Sequence, residues 1–252
     1  MKFLKLILIA LLLASVAANV FLAIRLRGTY ERYLIRSVWP AQSPASNETI
    51  DGTGSPTILL LGDSRLADWK FDRIQQGRIV NDGIRGGTTA EVLANTSEAL
   101  KKYHPDVVVI ESGINDLLLL GLRTDLKQQV VQTVLSNLDA IVSESHAAGA
   151  KVLLLTIWPP TTPSLMRRLV WSPTVTAALE SLNDSLVKMN NPEKGISVVN
   201  ILNDSSLKVK YRDTLHLEPE TYRDLTPRLE SLIQSLTSNS PRIETSAPVI
   251  KK

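Results

Sequence analysis

The residues of this sequence with the clearest chemical potential are a serine, a histidine and an aspartate. Ser64 follows Gly62-Asp63, and His216 stands three residues after Asp213. A serine hydroxyl is a weak nucleophile until a nearby base accepts its proton. A carboxylate that bonds one imidazole nitrogen leaves the other nitrogen to face the serine. We therefore predict Ser64 as nucleophile, His216 as base and Asp213 as the acid that orients it.

The choice of base is narrow because the chain has only three histidines. His104 precedes a proline ahead of a predicted strand, which is typical of a loop residue. His146 lies near the predicted end of a long helix, where a cation is favoured. His216, with a carboxylate three residues before it, remains the predicted base.

Acyl transfer also needs hydrogen-bond donors for the negative oxygen of the tetrahedral intermediate. Gly86 can present a backbone N–H where a side chain would obstruct the substrate, and Gly83 is a second candidate for that role. Asn115 can supply a neutral side-chain amide. Taken singly, Ser64 is also typical of a helix cap, and Gly86 and Asn115 are typical of turns.

The elements that would position these residues alternate along the chain. Five short apolar runs predict buried strands, and the segments between and after them have the three-to-four spacing of amphipathic helices. This alternation predicts an α/β fold with a parallel sheet covered on both faces. Ligands bind at the carboxyl ends of such strands, where the polar motifs stand. The runs are 57–61, 78–81, 106–111, 151–157 and 196–201.

At these motifs the sequence resembles the SGNH (GDSL-type) hydrolase superfamily over about residues 57–236. The resemblance implies a flavodoxin-like three-layer sandwich with a five-stranded parallel sheet, and an esterase without metal or organic cofactor. It implies the catalytic roles given above, and an oxyanion hole formed by the Ser64 N–H, Gly86 and Asn115. Arg65 replaces the leucine of the GDSL motif, and Gly87 stands where some relatives carry aspartate.

Composition excludes several other classes of protein. The chain has no cysteine, so disulfides, cysteine nucleophiles and cysteine-based metal sites are absent. Residues 1–36 carry six basic residues and one acidic residue, a net +5, which leaves −2 for the remainder of a chain of net charge +3. The basic residues surround an apolar run, which does not indicate a nucleic-acid partner.

That apolar run, Leu6–Ile24, is interrupted only by Ser15 and Asn19. As a helix it would be roughly 28 Å long, close to the ~30 Å thickness of the bilayer hydrocarbon. We predict one transmembrane helix that is retained as an anchor. A cleaved signal peptide is the alternative, because residues 15–18 include the small residues of a cleavage site.

The positive charges on the two sides of the run are nearly balanced, so its orientation stays open. Two lysines precede it, and Arg25 and Arg27 follow it. The lysine-flanked, leucine-rich start resembles an export signal. We therefore expect a single-pass membrane protein with an extracytoplasmic catalytic domain.

Four segments follow from these observations. Residues 1–36 are predicted to form the membrane anchor and its basic flank, and residues 37–56 a linker. Residues 57–236 are the predicted hydrolase domain, and residues 237–252 a flexible tail.

The expected activity is hydrolysis of small acyl esters, with acetyl esters of carbohydrates ahead of lysolipids. The 158–163 loop, Trp-Pro-Pro-Thr-Thr-Pro, and the following Arg167, Arg168 and Trp171 are the expected source of specificity. The alternative interpretation of this stretch is a surface loop with one buried indole. An O-acyltransferase, a lysophospholipase or thioesterase, and an anchored binding module without catalysis are the alternatives for the whole protein.

Overall fold

The computed structural model describes residues 2–39, 49–52, 56–71, 77–165 and 167–238. Strands and helices alternate along most of the chain, as the periodicity predicts. The helices are α1 (Lys2–Val38), α2 (Ser64–Ala67), α3 (Thr89–Tyr103), α4 (Ile114–Leu117), α5 (Lys127–Ala147), α6 (Pro173–Val187) and α7 (Pro219–Ser238). The strands are β1 (Thr49–Gly52), β2 (Thr57–Gly62), β3 (Arg78–Asn81), β4 (Val107–Glu111), β5 (Lys151–Leu155) and β6 (Ile196–Val199).

The strands form one sheet in the order β1-β3-β2-β4-β5-β6. The five strands β2 to β6 all run parallel to one another, which confirms the predicted five-stranded parallel sheet. Strand β1 adds a sixth, antiparallel member beside β3, with Thr49 opposite Asn81. It lies within residues 37–56, which we expected to form a linker without secondary structure.

Helices cover both faces of the sheet because its central strands are apolar on both sides. Leu59 and Leu61 of β2 face a core shared with α1, α3, α5 and α6. Ile58 and Leu60 of the same strand face a second core shared with α2 and α7. The fold is therefore the predicted three-layer α/β sandwich.

The N-terminal helix α1 is both the apolar helix of the sequence and part of the hydrophobic core. Leu34 and Val38 are buried in the core that α3 and α5 share. The Ser37 carbonyl accepts a hydrogen bond from Thr88, and Glu31 pairs with Arg123 at 3.2 Å. The domain boundary predicted after residue 36 thus falls inside a continuous, docked helix.

One helix in the described residues is long and apolar enough to cross a membrane, and it is α1. By length and composition, a signal sequence near the N-terminus would meet the same test. Of the tail predicted from residue 237, the first two residues complete α7, and residues 239–252 lie outside the described part of the chain.

Candidate active site

Ser64 begins helix α2 directly after the carboxyl end of β2. The Asp63 side chain caps this helix by accepting a hydrogen bond from the Arg65 N–H at 2.9 Å. The cap holds the serine at the first helical position, and Ser64 retains 8% of its surface exposed. The strand-to-helix turn therefore brings the hydroxyl to the sheet edge.

His216 reaches this hydroxyl from a loop 152 residues later in the chain. Ser64 Oγ and His216 Nε2 are 2.9 Å apart. On the other side of the ring, His216 Nδ1 lies 2.7 Å from Asp213 Oδ2. A carboxylate partner fixes the proton on Nδ1, so Nε2 is free to accept the serine proton. The structure thus brings the three residues predicted from the sequence into one hydrogen-bonded chain.

Asp213 is also held by the backbone of its own loop. Its Oδ1 accepts hydrogen bonds from the N–H groups of Leu215 at 2.8 Å and His216 at 3.0 Å. Partial burial acts to raise the pKa of Asp213, but these N–H donors and the His216 side chain outweigh it and lower that pKa to about 2. The group is therefore a carboxylate at neutral pH, as an orienting acid requires.

Gly86 and Gly83, the two candidates for the second oxyanion donor, differ in the hydrogen bonding of their N–H groups and in the space around them. The Gly83 N–H donates to Asn81 Oδ1 at 3.1 Å, and a Cβ at Gly83 would lie 2.6 Å from the Ala67 nitrogen. Gly83 is thus a packing residue. Gly86 is exposed, has φ +72°, and has open space where a Cβ would be. In the described part of the chain the Gly86 N–H has no acceptor, so it is available to a substrate.

Asn115 lies in the first turn of α4 and connects this turn to the glycine loop. Its Nδ2 donates to the Gly87 carbonyl oxygen at 2.9 Å. That bond uses one of the two amide hydrogens, and the second is available as a donor. The side chain therefore fixes the loop that carries Gly86 and can itself contribute to an oxyanion site.

The neighbouring Asp116 is fully buried and holds the start of α3. Its carboxyl oxygens accept hydrogen bonds from the Thr89 N–H at 3.0 Å and the Thr89 hydroxyl at 2.7 Å. Burial raises the pKa of Asp116 to about 7, against the opposing effect of the Thr89 donors. These contacts give Asp116 a structural role at the start of α3.

Arg65 is the residue near the site that sequence reasoning missed. It is completely buried against the loop that carries His216. Its Nε donates to the Leu215 carbonyl oxygen at 3.1 Å, one residue before His216. Its Nη1 donates to Glu111 at 3.2 Å and to the Trp158 carbonyl oxygen at 2.8 Å. Arg65 thus forms hydrogen bonds to three separate segments at this edge of the sheet.

Two buried carboxyl groups share this one guanidinium. Burial and the charge of Glu111 raise the pKa of Asp63 well above its usual value. Burial raises the pKa of Glu111 as well, but Arg65 opposes that effect. Glu111 bonds the guanidinium directly, whereas Asp63 bonds the backbone N–H of Arg65.

The 158–163 loop borders the histidine loop. The Thr161 N–H donates to the Thr214 carbonyl oxygen at 2.9 Å, and the Tyr211 hydroxyl donates to the Pro159 carbonyl oxygen at 2.6 Å. Trp158 is buried against Trp69, so its indole is a core side chain.

The other two histidines lie at the ends of helices that lead into the amino ends of β4 and β5. This is the edge of the sheet opposite to Ser64. His104 ends α3 in the left-handed conformation, with φ 46°, and His146 lies in the last turn of α5. Within the described ranges, no three His, Asp or Glu side chains form a group that could hold a metal ion.

Comparison with known proteins identifies the fold and its motifs. A sequence model of the GDSL-like Lipase/Acylhydrolase family matches residues 49–223, more than half of the chain. The chain belongs to this family. The match begins at β1, so the antiparallel edge strand is part of the GDSL-like domain.

Two GDSL-like relatives are similar in sequence over part of their length. Esterase TesA of Pseudomonas aeruginosa is 42% identical over 96 residues, which are 38% of this chain and 42% of the relative. The Escherichia coli protein named thioesterase 1/protease 1/lysophospholipase L1 is 33% identical over 124 residues, 44% of this chain and 56% of the relative. The chain thus matches about half the length of these relatives.

A solved GDSL-like structure supports the fold. The lipase/acylhydrolase from Enterococcus faecalis superposes with a TM-score of 0.53 at 21% identity. The superposition covers 72% of this chain and 96% of that protein. At this identity the likeness establishes the shared fold.

Proposed function

We propose that this protein is a serine esterase that hydrolyses small acyl esters, with acetylated carbohydrate as the substrate class. The observation that carries the proposal is the chain of short contacts from Asp213 through His216 to Ser64. Family membership supports the same reaction type. The proposed enzyme works with its own side chains and without a cofactor.

In the first half of the proposed reaction, Ser64 becomes acylated. The Oγ–H proton passes to His216 Nε2 while Oγ bonds to the ester carbonyl carbon, and the carbonyl electron pair moves to oxygen. The bond to the leaving alcohol then breaks, and the alcohol oxygen takes the proton from Nε2. Asp213 stabilises the imidazolium that exists between these two steps.

In the second half, water resolves the acyl-enzyme. A water molecule gives a proton to His216 Nε2 as its oxygen bonds to the acyl carbon. The bond from that carbon to Ser64 Oγ breaks, and Oγ recovers the proton. The carboxylic acid leaves, and the enzyme returns to its starting state.

The negative oxygen of both tetrahedral species would be held by the Ser64 and Gly86 N–H groups and by the Asn115 amide. The unused Gly86 N–H and the free hydrogen of Asn115 support this assignment. Each donor acts on charge that develops in the transition state, which is where hydrogen bonds contribute most to rate.

The test of the mechanism is Ser64→Ala in the full-length protein. Turnover of p-nitrophenyl acetate should fall to background while circular dichroism stays unchanged. Ser145→Ala is the matched control, because Ser145 is a buried serine on α5 whose hydroxyl bonds only the helix carbonyl of Ile141. Persistent turnover in the Ser64→Ala protein would rule out the mechanism.

A lysophospholipase or thioesterase is the second candidate, favoured by the name of the Escherichia coli relative. Parallel assays with acetylated sugars, lysophospholipids and acyl thioesters would rank the three substrate classes by kcat/KM. An added glycan acceptor separates hydrolysis from O-acyl transfer, because transfer yields an acylated glycan in place of the free acid.

A binding module without catalysis is the remaining alternative. A fluorophosphonate probe reacts with an activated serine hydroxyl, so it should label the wild-type protein and not Ser64→Ala. Absence of label on the wild type would favour the binding module.

We also propose that α1 is retained as a membrane anchor and that the catalytic domain faces away from the cytoplasm. The apolar run of α1 is fully exposed outside its docked end, which supports the anchor. Because the chain has no cysteine, Val187→Cys provides a single labelling site on the domain. A membrane-impermeant maleimide should label intact cells that carry this variant, and protection until lysis would reverse the orientation.

A further inference from the structure

The segment 165–171, of which the structure describes every residue except Met166, has an unusual surface for a loop beside the candidate active site. Leu165 is 79% exposed and Leu169 is 68% exposed, and Arg167 and Arg168 stand between them. Single exposed leucines are common on protein surfaces. Here, however, two exposed leucines flank a pair of arginines, and the position of the segment in the fold suggests what they contact.

The segment lies against the docked part of α1. The Val170 carbonyl packs on Gly121, so closely that a Cβ there would be 2.0 Å from its oxygen. Gly121 ends the 3-10 turn Leu118–Gly121, which itself packs on α1. Trp171 joins the same hydrophobic cluster as Tyr30 of α1, and the Arg167 guanidinium interacts electrostatically with that tyrosine.

The position of Tyr30 fixes the depth of the segment relative to a membrane. Tyr30 is six residues after Ile24, the end of the apolar run, which is about 9 Å along a helix. Each headgroup layer of a bilayer is roughly 5–8 Å thick beyond the hydrocarbon. Tyr30 therefore stands about 9 Å beyond the hydrocarbon, at the water side of the headgroup layer, and a segment beside it borders the headgroups.

The residues around Tyr30 have the composition of a membrane interface. Tyr33 is 59% exposed and stacks on Tyr30, with 6.4 Å between ring centroids. Arg25 and Arg27 precede this pair on the same helix. Tyrosines at headgroup depth and arginines near lipid phosphates are typical of the ends of membrane spans.

We propose that the segment 165–171 is a membrane-contact element that rests on the anionic phospholipid surface of the bilayer entered by α1. Leu165 and Leu169 enter the headgroup layer, and Arg167 and Arg168 bind lipid phosphates. The bilayer is the occupant because the segment lies beside the docked end of the anchor helix, through Trp171 and Tyr30 of one cluster, and carries the complementary charge. The inference rests on the retained anchor proposed above.

This contact would orient the active site toward the membrane. The loop that leads into the segment is bonded to Thr214, two residues before the catalytic histidine. The same stretch of chain thus borders both His216 and the proposed lipid surface. Esters carried at the membrane surface would meet the Ser64 edge of the domain directly.

The experiment uses single cysteines in the full-length protein, reconstituted into vesicles of phosphatidylcholine and phosphatidylglycerol. Leu165→Cys and Leu169→Cys are each labelled with an environment-sensitive fluorophore. Val187→Cys is the matched control, since it is 56% exposed and lies at the far end of α6, about 21 Å along that helix from its start. Quenching is measured with lipids that carry a spin label near the top of the acyl chain.

We expect at least about twofold quenching at positions 165 and 169, because side chains that enter the headgroup layer come close to a spin label near the top of the acyl chains. Position 187 should show none. Equal, weak quenching at all three positions would overturn the proposal. So would quenching by neighbouring labelled protein in place of lipid, which would identify a second copy of the chain as the occupant.

Flotation of the same vesicles distinguishes failure of the membrane-contact element from failure of the retained anchor. If the Val187→Cys protein does not float with lipid, the retained anchor fails, and the membrane-contact element fails with it. If the protein floats and positions 165 and 169 remain unquenched, the anchor stands and only the contact element is overturned. Turnover of p-nitrophenyl acetate is read in each sample as an independent measure of the catalytic proposal.

Discussion

Replacing Arg65 with methionine tests the most unusual feature of the site. The variant keeps a long, flexible side chain but removes the buried guanidinium. Glu111 then keeps one hydrogen bond in the described structure, from the Trp158 N–H at 3.4 Å. Removing one partner of a buried ion pair costs about 3–5 kcal/mol, because the other charge stays buried without compensation. We expect Arg65→Met to lose that amount of unfolding free energy.

A second substitution identifies the cause of the loss. Glu111→Met in the Arg65→Met background removes the orphaned carboxylate, and apolar replacement of a whole buried pair is often neutral. The double variant should therefore regain most of the lost stability. Arg85→Met is the matched control, because Arg85 is 58% exposed and its partner Asp68 keeps a second ion pair with Arg212, so no carboxylate is left unpaired.

Urea unfolding of the full-length proteins in detergent, followed by tryptophan fluorescence, measures these differences. Activity measurements distinguish a packing role of Arg65 from a role in positioning the His216 loop. Arg65 bonds the Leu215 carbonyl oxygen, so the double variant should stay low in kcat with KM little changed even after its stability returns. A loss below about 1 kcal/mol in Arg65→Met would refute the buried-pair reasoning, as would a double variant no more stable than the single one. A double variant with wild-type kcat would refute the positioning role.

Three other substitutions test the remaining parts of the site and the fold. Asn115→Ala should lower the kcat for p-nitrophenyl acetate by about 10²–10³, and an unchanged kcat would remove Asn115 from the oxyanion site. Asp116 keeps its proton up to about pH 7 in the folded chain and loses it near pH 4 when unfolded, so unfolding free energy should fall by up to about 4 kcal/mol as pH rises through that window. Urea titrations of Asp116→Asn should show a decline that is smaller by this contribution, because Asp63 and Glu111, whose pKa values are also raised, remain in the variant; an identical pH profile in both proteins would contradict the assignment. Leu34→Ala should cost about 2–5 kcal/mol of unfolding free energy, whereas Leu22→Ala, exposed on α1, should cost nothing measurable in detergent; equal effects would mean that α1 does not dock.

The geometry of Ser64, Asp213 and His216 was predictable because each stands at the carboxyl end of a strand or in a loop at that edge. Parallel strands bring such positions together whatever their separation along the chain. The choice between Gly83 and Gly86 was not predictable. It depends on which glycine meets Ala67 across the turn, and that contact exists only in the folded chain.

The burial of Arg65 could not be inferred from local pattern. Arginine is rarely fully buried, and its partners Glu111 and Leu215 lie 46 and 150 residues away. The sequence signal was the departure itself, an arginine in place of the motif leucine. A charged residue next to a nucleophile and an acidic residue at the end of a neighbouring strand together indicate a buried pair.

Two features near the N-terminus were hidden for different reasons. Strand β1 is four residues long and pairs only with β3, so its formation depends on a free edge elsewhere in the sheet. The sequence signal for the docking of α1 against the domain is weak. Leu34 and Val38 have the four-residue spacing of one helix face, but this signal lies just past a much longer apolar run.

The continuity of α1 from the apolar run into the core has a consequence for how a retained anchor would govern encounter with substrate. A flexible tether lets a domain sweep a hemisphere whose radius grows with tether length. A rigid helix that ends inside the domain removes that freedom. The enzyme would then work at a single height and tilt, on esters that diffuse laterally past it, and its rate would follow their density per area of membrane and not their concentration in solution.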